Sequence, residues 1–241
     1  MRLAKLALAA TALPLAVLMR WDAPVRDPEP ERRSAPSAAR PAAARPDLVS
    51  RAEWGADERL VRERSKPVAT VSAVFIHHTG HANDYDCADT PRMLRSLQAE
   101  HVRRMGWDDM GYNFVVDRCG TVYEGRGDGT GRALRGAHTT GFNTRSVGIG
   151  ALGDFGAGAH VPRAMLEAIA AVAAWKLRPG ADPHGRVRLV STNSDSRYHE
   201  GSAARFDVIT GHRDGFETDC PGDALYGQLP ALRDEVARRR W

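Results

Sequence analysis

The spacing of apolar and polar positions changes along the chain in the manner of a mixed α/β domain that begins near residue 47. Residues 68–78, VATVSAVFIHH, form the strongest apolar run, rich in β-branched side chains, and predict a buried strand. Thr90-Pro91 supplies a helix cap and then a proline at a position a helix tolerates. Met93, Leu94, Leu97, His101 and Val102 follow at helical spacing until Gly106 stops the run. Residues 112–117 and 121–123 flank Arg118-Cys119-Gly120 and predict a β-hairpin. A glycine-rich strand is expected over 146–152. Pro162 opens a second helix with apolar positions at Met165, Leu166, Ile169, Val172, Trp175 and Leu177. Residues 180–206 are polar and predict a long loop with one short strand at 187–190, before a further strand at 206–210 and a last helix over 230–239. No internal repeat is present. The expected architecture is α/β, a central mixed sheet flanked by helices in a single domain over 47–241.

The first 46 residues do not share this pattern. Arg2 and Lys5 precede a fourteen-residue apolar run over 6–19, a length that suits the core of an export signal and is short for a membrane span. Residues 1–21 are therefore expected to be a signal peptide, or an N-terminal anchor if uncleaved, since no clean small-x-small site follows Met19. Residues 22–46 are rich in Ala, Pro and Arg with hardly any large apolar side chain, which predicts a disordered linker. The expected location is outside the cell or in its wall, with no stable membrane insertion once the leader is cut.

Charge then changes one inference. Of 34 basic and 30 acidic residues, eight and four lie in 1–46, so residues 47–241 carry 26 of each sign. The folded part is neutral, which argues against a nucleic-acid partner, because such proteins need a basic face to neutralise phosphates. With 241 residues the chain has room for one well-cored domain, expected to be monomeric.

Two groups of residues suggest chemistry. His77-His78-Thr79 ends the strongest strand, where a buried strand end seldom needs two titratable rings. Gly211-His212-Arg213-Asp214 ends a later strand and leads to Cys220-Pro221. His212 and Cys220 are too far apart for one helix face, but a loop can fold the cysteine back. Two histidines and a thiolate make three zinc ligands with a fourth position open, the pattern of a catalytic site. Spacing alone leaves a second reading open: hydrogen-bonded strand-end histidines and a free buried cysteine. Tyr112, in Gly111-Tyr112-Asn113-Phe114, reads by itself as a core aromatic with its hydroxyl at the surface. Of three cysteines, an oxidising compartment would pair two and leave one over.

Seven segments in register over residues 48–227 carry a resemblance. They are Ser50-Arg51-Ala52-Glu53-Trp54-Gly55-Ala56, Val74-Phe75-Ile76-His77-His78-Thr79, Gly111-Tyr112-Asn113-Phe114-Val115-Val116 and Val122-Tyr123-Glu124-Gly125-Arg126-Gly127, then Gly136-Ala137-His138-Thr139, Ser146-Val147-Gly148-Ile149, and Gly211-His212-Arg213-Asp214 through Cys220-Pro221-Gly222. In that order they resemble the domain shared by bacterial N-acetylmuramoyl-L-alanine amidases and animal peptidoglycan-recognition proteins. The resemblance implies zinc-dependent hydrolysis of the amide between N-acetylmuramic acid and L-alanine in peptidoglycan, with a non-catalytic peptidoglycan-binding module as the alternative. It implies one Zn²⁺ held by His77, His212 and Cys220, with Tyr112 beside the metal. Thr218 stands where some phage relatives have a catalytic lysine. Gly150 departs from intracellular bacterial relatives, which carry a glutamate there.

Gly106-Trp107 and Arg126 match a set that in animal recognition proteins goes with diaminopimelate-type stems. A guanidinium can grip the extra carboxylate bidentately; the plainer readings are an exposed loop arginine and a helix-end packing tryptophan. His138 resembles the family's substrate-contacting histidine, against an ordinary loop histidine. With Cys220 taken as a ligand on this resemblance, Cys87 and Cys119 are expected to form a disulfide, the alternative being two free thiols.

Overall fold

The computed structural model describes residues 43–128 and 132–240. The expected signal segment 1–21 lies outside the described residues, as does all but the end of the expected linker 22–46.

Seven strands form in chain order: β1 Ala73–His78, β2 Phe114–Val116, β3 Val122–Glu124, β4 Ser146–Ala151, β5 Arg186–Val190, β6 Ala203–Asp207 and β7 Ile209–Gly211. Five make a mixed sheet in the order β3-β2-β4-β1-β7; β5 and β6 form a separate antiparallel ribbon. β4 pairs in parallel with both β1 and β2, β7 with β1 in parallel, and only β2–β3 is antiparallel. The helices are α1 Arg51–Trp54, α2 Thr90–Ala99, α3 Arg163–Lys176, α4 His212–Gly215, α5 Asp223–Gly227 and α6 Leu229–Arg240.

Alternation along the strands divides the sheet into a dry face and a working face. Val74 and Ile76 of β1, Val147 and Ile149 of β4, and Phe114 and Val116 of β2 pack with Met165, Ile169 and Val172 of α3 and Leu232 and Val236 of α6. On the opposite side Val115 joins Trp54, Leu94, Leu97 and Met110 beneath α1 and α2. Ala73 and Phe75 meet Phe142, Leu189 and Phe206 under the ribbon. By the same alternation His77 emerges on this second side. In register beside it stands Gly150, and next to Phe75 stands Gly148. Around His77 that face therefore carries no β4 side chain, and the Tyr112 and His138 rings take the space.

Three elements depart from the sequence pattern. The strand expected over 68–78 joins the sheet only from Ala73. Its first half is extended but pairs with loops, Val68 N–H donating to Ala133 O at 2.9 Å and Ser72 N–H to Arg145 O at 2.8 Å. The strand expected over 206–210 is two strands in two sheets; at the join, Val208 N–H bonds Gly185 O and its carbonyl accepts from Val74 N–H. The helix expected to run to Gly106 widens into a π-helical turn, Glu100–Arg104.

Cys87 and Cys119 form a disulfide that ties the start of α2 to the β2–β3 turn. Among the described residues no helix is long and apolar enough to cross a membrane.

Candidate metal centre

β1 carries His77 fully buried to the end of the sheet. Its parallel neighbour β7 ends one step beyond Thr210, and the chain turns into α4 with His212 as its first residue. Asp214 fixes that turn: one carboxylate oxygen accepts from Gly211 N–H at 2.9 Å and Thr210 Oγ1–H at 2.5 Å, the other from Tyr226 Oη–H at 2.8 Å. The His77 and His212 rings lie with centroids 4.4 Å apart.

The following loop brings the sulfur back. Arg213 N–H donates to Cys220 O at 2.9 Å, while the Arg213 guanidinium bonds Asp219 O and the Asp223 carboxylate. Gly222 has φ +84°, and a Cβ there would lie 2.1 Å from Phe155 O, so only glycine lets the loop close against that segment. Thr218 Oγ1 accepts from Cys220 N–H at 3.2 Å. Thr218 thus meets the site through the cysteine's backbone.

The ligand atoms offered by His77, His212 and Cys220 all fall within 4.8 Å of one another. Cys220 Sγ is 3.8 Å from His77 Nδ1 and accepts the His78 N–H at 3.3 Å. Burial favours the neutral form of all three groups. It is the first cause depressing His77, to which the neighbouring imidazoles add, and it lowers His212 to about 4. It pushes the Cys220 thiol up to about 12, against a smaller opposing pull from the His78 N–H. Two neutral imidazoles and a sulfur with a donor already aimed at it fit a soft-to-borderline dication such as zinc, which favours the thiolate that burial resists.

Tyr112 lies beside the centre, its ring 5.2 Å from that of His77 and its hydroxyl donating to His78 O at 3.2 Å. The hydroxyl points inward to the metal-site strand, where the bare sequence reading put it at the surface. Burial raises its pKa, so it is a proton-bearing donor at neutral pH. Gly150 accounts for the tyrosine's position: a Cβ there would stand 2.9 Å from Tyr112 Cδ2. The ring fills volume that a glutamate on β4 would need.

The remaining expected residues fall to one side. Arg126 is only 7% exposed, and three of its N–H groups donate to Met110 O at 2.6 Å, Asp109 O at 2.9 Å and Ser65 Oγ at 3.1 Å. It is no exposed loop arginine. A pocket of about 290 Å³ opens against it, lined also by Glu63, Arg64, Lys66, Asp108, Arg135 and Asn143. Trp107 packs on His101 with ring centroids 4.7 Å apart and covers Gly111, whose Cβ would meet the indole at 2.6 Å; Gly106, at φ +75°, makes the bend before it. His138 is 5% exposed and lies behind His77.

Sequence reasoning missed the residues that hold these loops. Asn143 Oδ1 accepts from the backbone N–H groups of His138 and Thr139 at 2.9 and 3.0 Å. Asn113 Oδ1 accepts from Gly148 N–H at 3.0 Å. An asparagine four positions beyond a His-Thr pair was the available signal, a side chain of the kind that bonds nearby backbone.

This sheet, with its helices and its cluster of donors, has the fold of the peptidoglycan-recognition proteins. Wild-type Drosophila PGRP-LB aligns with a TM-score of 0.58 at 27% identity over 77% of this chain and 93% of its own. Peptidoglycan recognition protein-LE, solved with tracheal cytotoxin, described as monomeric diaminopimelic acid-type peptidoglycan, aligns at 0.58 and 26% identity over 76% and 92%. In sequence, residues 67–223 match the family model described as N-acetylmuramoyl-L-alanine amidase. The chain belongs to that family. Peptidoglycan-recognition protein SC2 of Drosophila simulans is 30% identical over 182 residues, 76% of this chain and 84% of the relative. The N-acetylmuramoyl-L-alanine amidase of Sus scrofa is 34% identical over 188 residues, of which this chain spans 27% of the relative's length.

Proposed function

We propose that the protein is a zinc-dependent amidase that hydrolyses the bond between N-acetylmuramic acid and L-alanine in peptidoglycan, acting outside the cell. The observation that carries this reading is the convergence of His77, His212 and Cys220 beside Tyr112 at one end of the sheet. A recognition module needs only the groove; a buried set of two imidazoles and a sulfur serves a metal.

His77, His212 and Cys220 would hold the ion. Zinc bound there supplies a Lewis acid that polarises an amide carbonyl and acidifies a water molecule. The protein's own groups supply the rest. Tyr112 keeps a protonated hydroxyl, which donates to His78 O and would turn from it to the oxygen that gains charge as the amide carbon becomes tetrahedral. The His78 N–H, donating to Cys220 Sγ, favours the charged form of that sulfur. Thr218 steadies the cysteine's main chain.

The stem peptide would extend into the neighbouring pocket. Arg126 spends three of its five N–H groups on Met110 O, Asp109 O and Ser65 Oγ, so it holds the wall there and lends the pocket positive charge. Arg64, Lys66 and Arg135 line the same pocket and have no carboxylate partner among the described residues. Glu63 and Asp108 also line it, so with Arg126 the four cations outnumber two carboxylates, and that net positive lining suits an acidic stem such as one containing diaminopimelate, the type named for the ligand of the recognition protein-LE structure.

Purified protein incubated with peptidoglycan, before and after chelation, tests the reading. Freed muramic acid carboxyl and alanine amine groups should accumulate, stop on metal removal and return with zinc. The Cys220→Ser protein should fold and lose most turnover. Hydrolysis that survives complete metal removal would overturn it.

A further inference from the structure

His138 was expected to meet substrate, yet its ring is buried against the back of a metal-site histidine. The two nitrogens of His77 face opposite ways: Nδ1 toward Cys220 Sγ at 3.8 Å, Nε2 toward His138 Nδ1 at 3.2 Å. A neutral imidazole holds one proton. For Nδ1 to offer its lone pair to a metal, the proton must sit on Nε2 and be accepted inside the protein.

Two atoms are within reach. His138 Nδ1 is the nearer; Thr139 Oγ1 is 3.4 Å from His77 Nε2 and 3.0 Å from His138 Nδ1. If His138 carried its own proton on Nδ1, two N–H groups would confront each other across 3.2 Å. Placing it on Nε2 removes that conflict and leaves the Nδ1 lone pair open to both His77 and Thr139. His138 Nε2 lacks a partner among the described residues in either tautomer, so the choice rests on Nδ1 alone.

The ring is seated for this contact. A Cβ on Gly148 would come within 2.2 Å of His138 Cγ, and one on Gly136 within 2.3 Å of Cδ2. The missing side chains of a strand glycine and a loop glycine make the slot, while Asn143 fixes the backbone at His138 and Thr139.

We propose that His138 is a positioning residue whose Nδ1 accepts the Nε2 proton of His77 and thereby fixes that ring with its other nitrogen toward the metal. This rests on the three-donor metal reading above. Outer-shell partners of this kind set ligand tautomer and basicity, and their loss weakens metal binding about 10- to 100-fold.

Zinc affinity by chelator competition, on the full chain, is the first test. H138A should bind zinc about 10- to 100-fold more weakly, and H138N, whose carbonyl oxygen replaces Nδ1 as acceptor, should recover most of the loss. Wild-type affinity in H138A, with only a raised KM for peptidoglycan, would overturn the proposal in favour of substrate contact. Nitrogen-15 spectra of the metal-free wild-type protein give a second test that needs no variant: His77 should carry its proton on Nε2, and a proton on Nδ1 would equally overturn it. Wild-type protein that binds no zinc would sink the amidase reading, while the tautomer measurement would still decide the hydrogen bond.

Discussion

Cys220 shows how the protonation of one residue becomes a measurable property of the site. Burial pushes the thiol up to about 12 and His212 down to about 4, and depresses His77 as well. At pH 7 both imidazoles are therefore already neutral and the sulfur still carries its proton. Binding zinc as a thiolate should release one proton, and affinity should rise about tenfold for each pH unit between 6 and 8. Calorimetry in buffers of different ionisation enthalpy counts that proton; a count of zero would mean that the sulfur stays out of the metal shell. Tyr112 sits at the other end of the chemistry. Tyr112→Phe keeps the ring that fills the space over Gly150 and removes only the donor. Its kcat should fall about 100- to 1,000-fold with KM little changed. An unchanged kcat would show that the hydroxyl faces no developing charge.

At this scale the sequence made the histidine pair conspicuous, because two imidazoles interrupt an apolar strand at its end. It could not place Cys220 from spacing, since the loop's return depends on Asp214, the Arg213 guanidinium and the close pass of Gly222 by Phe155. The burial of His138 was illegible for a related reason: its slot is made by Gly136 and Gly148, which are distant in sequence and adjacent only once the sheet forms.

Among the elements, β1 and β4 do most to build the site. Both were legible as apolar runs, and the alternation that sends His77 to the working face follows from strand geometry. What the pattern hid was a change of partner. Residues 68–72 look like strand but bond to loops, and 206–210 look continuous but divide at Val208 between two sheets. Hydrophobic period reports burial and does not say which neighbour supplies the hydrogen bonds. The segment before the matched family region also has structural work. Trp54 Nε1–H donates to Glu124 O at 2.8 Å, and Arg51 bonds Gly125 O and pairs with Asp109, so α1 braces the β3 edge next to Arg126. On the same side, the Cys87–Cys119 bridge closes a 32-residue separation between α2 and the hairpin turn. A Cys87→Ser, Cys119→Ser protein should lose about 3–4 kcal/mol of stability, read as a lower denaturant midpoint. A midpoint equal to that of the wild type would show that the bridge is dispensable to the fold.

Across the domain, both faces of the sheet are packed, and the second also carries the cluster of metal-ligand types between its two apolar patches. α3 and α6 cover the first with a continuous apolar core. On the second, glycines on β4 admit Tyr112 and His138 around His77. Equal numbers of acidic and basic residues over 47–241 leave this domain without the general basic field a polyanion binder needs, while the pocket by Arg126 has four cations against Glu63 and Asp108. X-ray absorption at the zinc edge of the reconstituted protein tests this arrangement most directly. One sulfur scatterer at about 2.3 Å with nitrogen ligands at about 2.0–2.1 Å, the sulfur vanishing in Cys220→Ser, is the predicted result. Zinc bound with no sulfur neighbour, or a spectrum unchanged by that substitution, would contradict it.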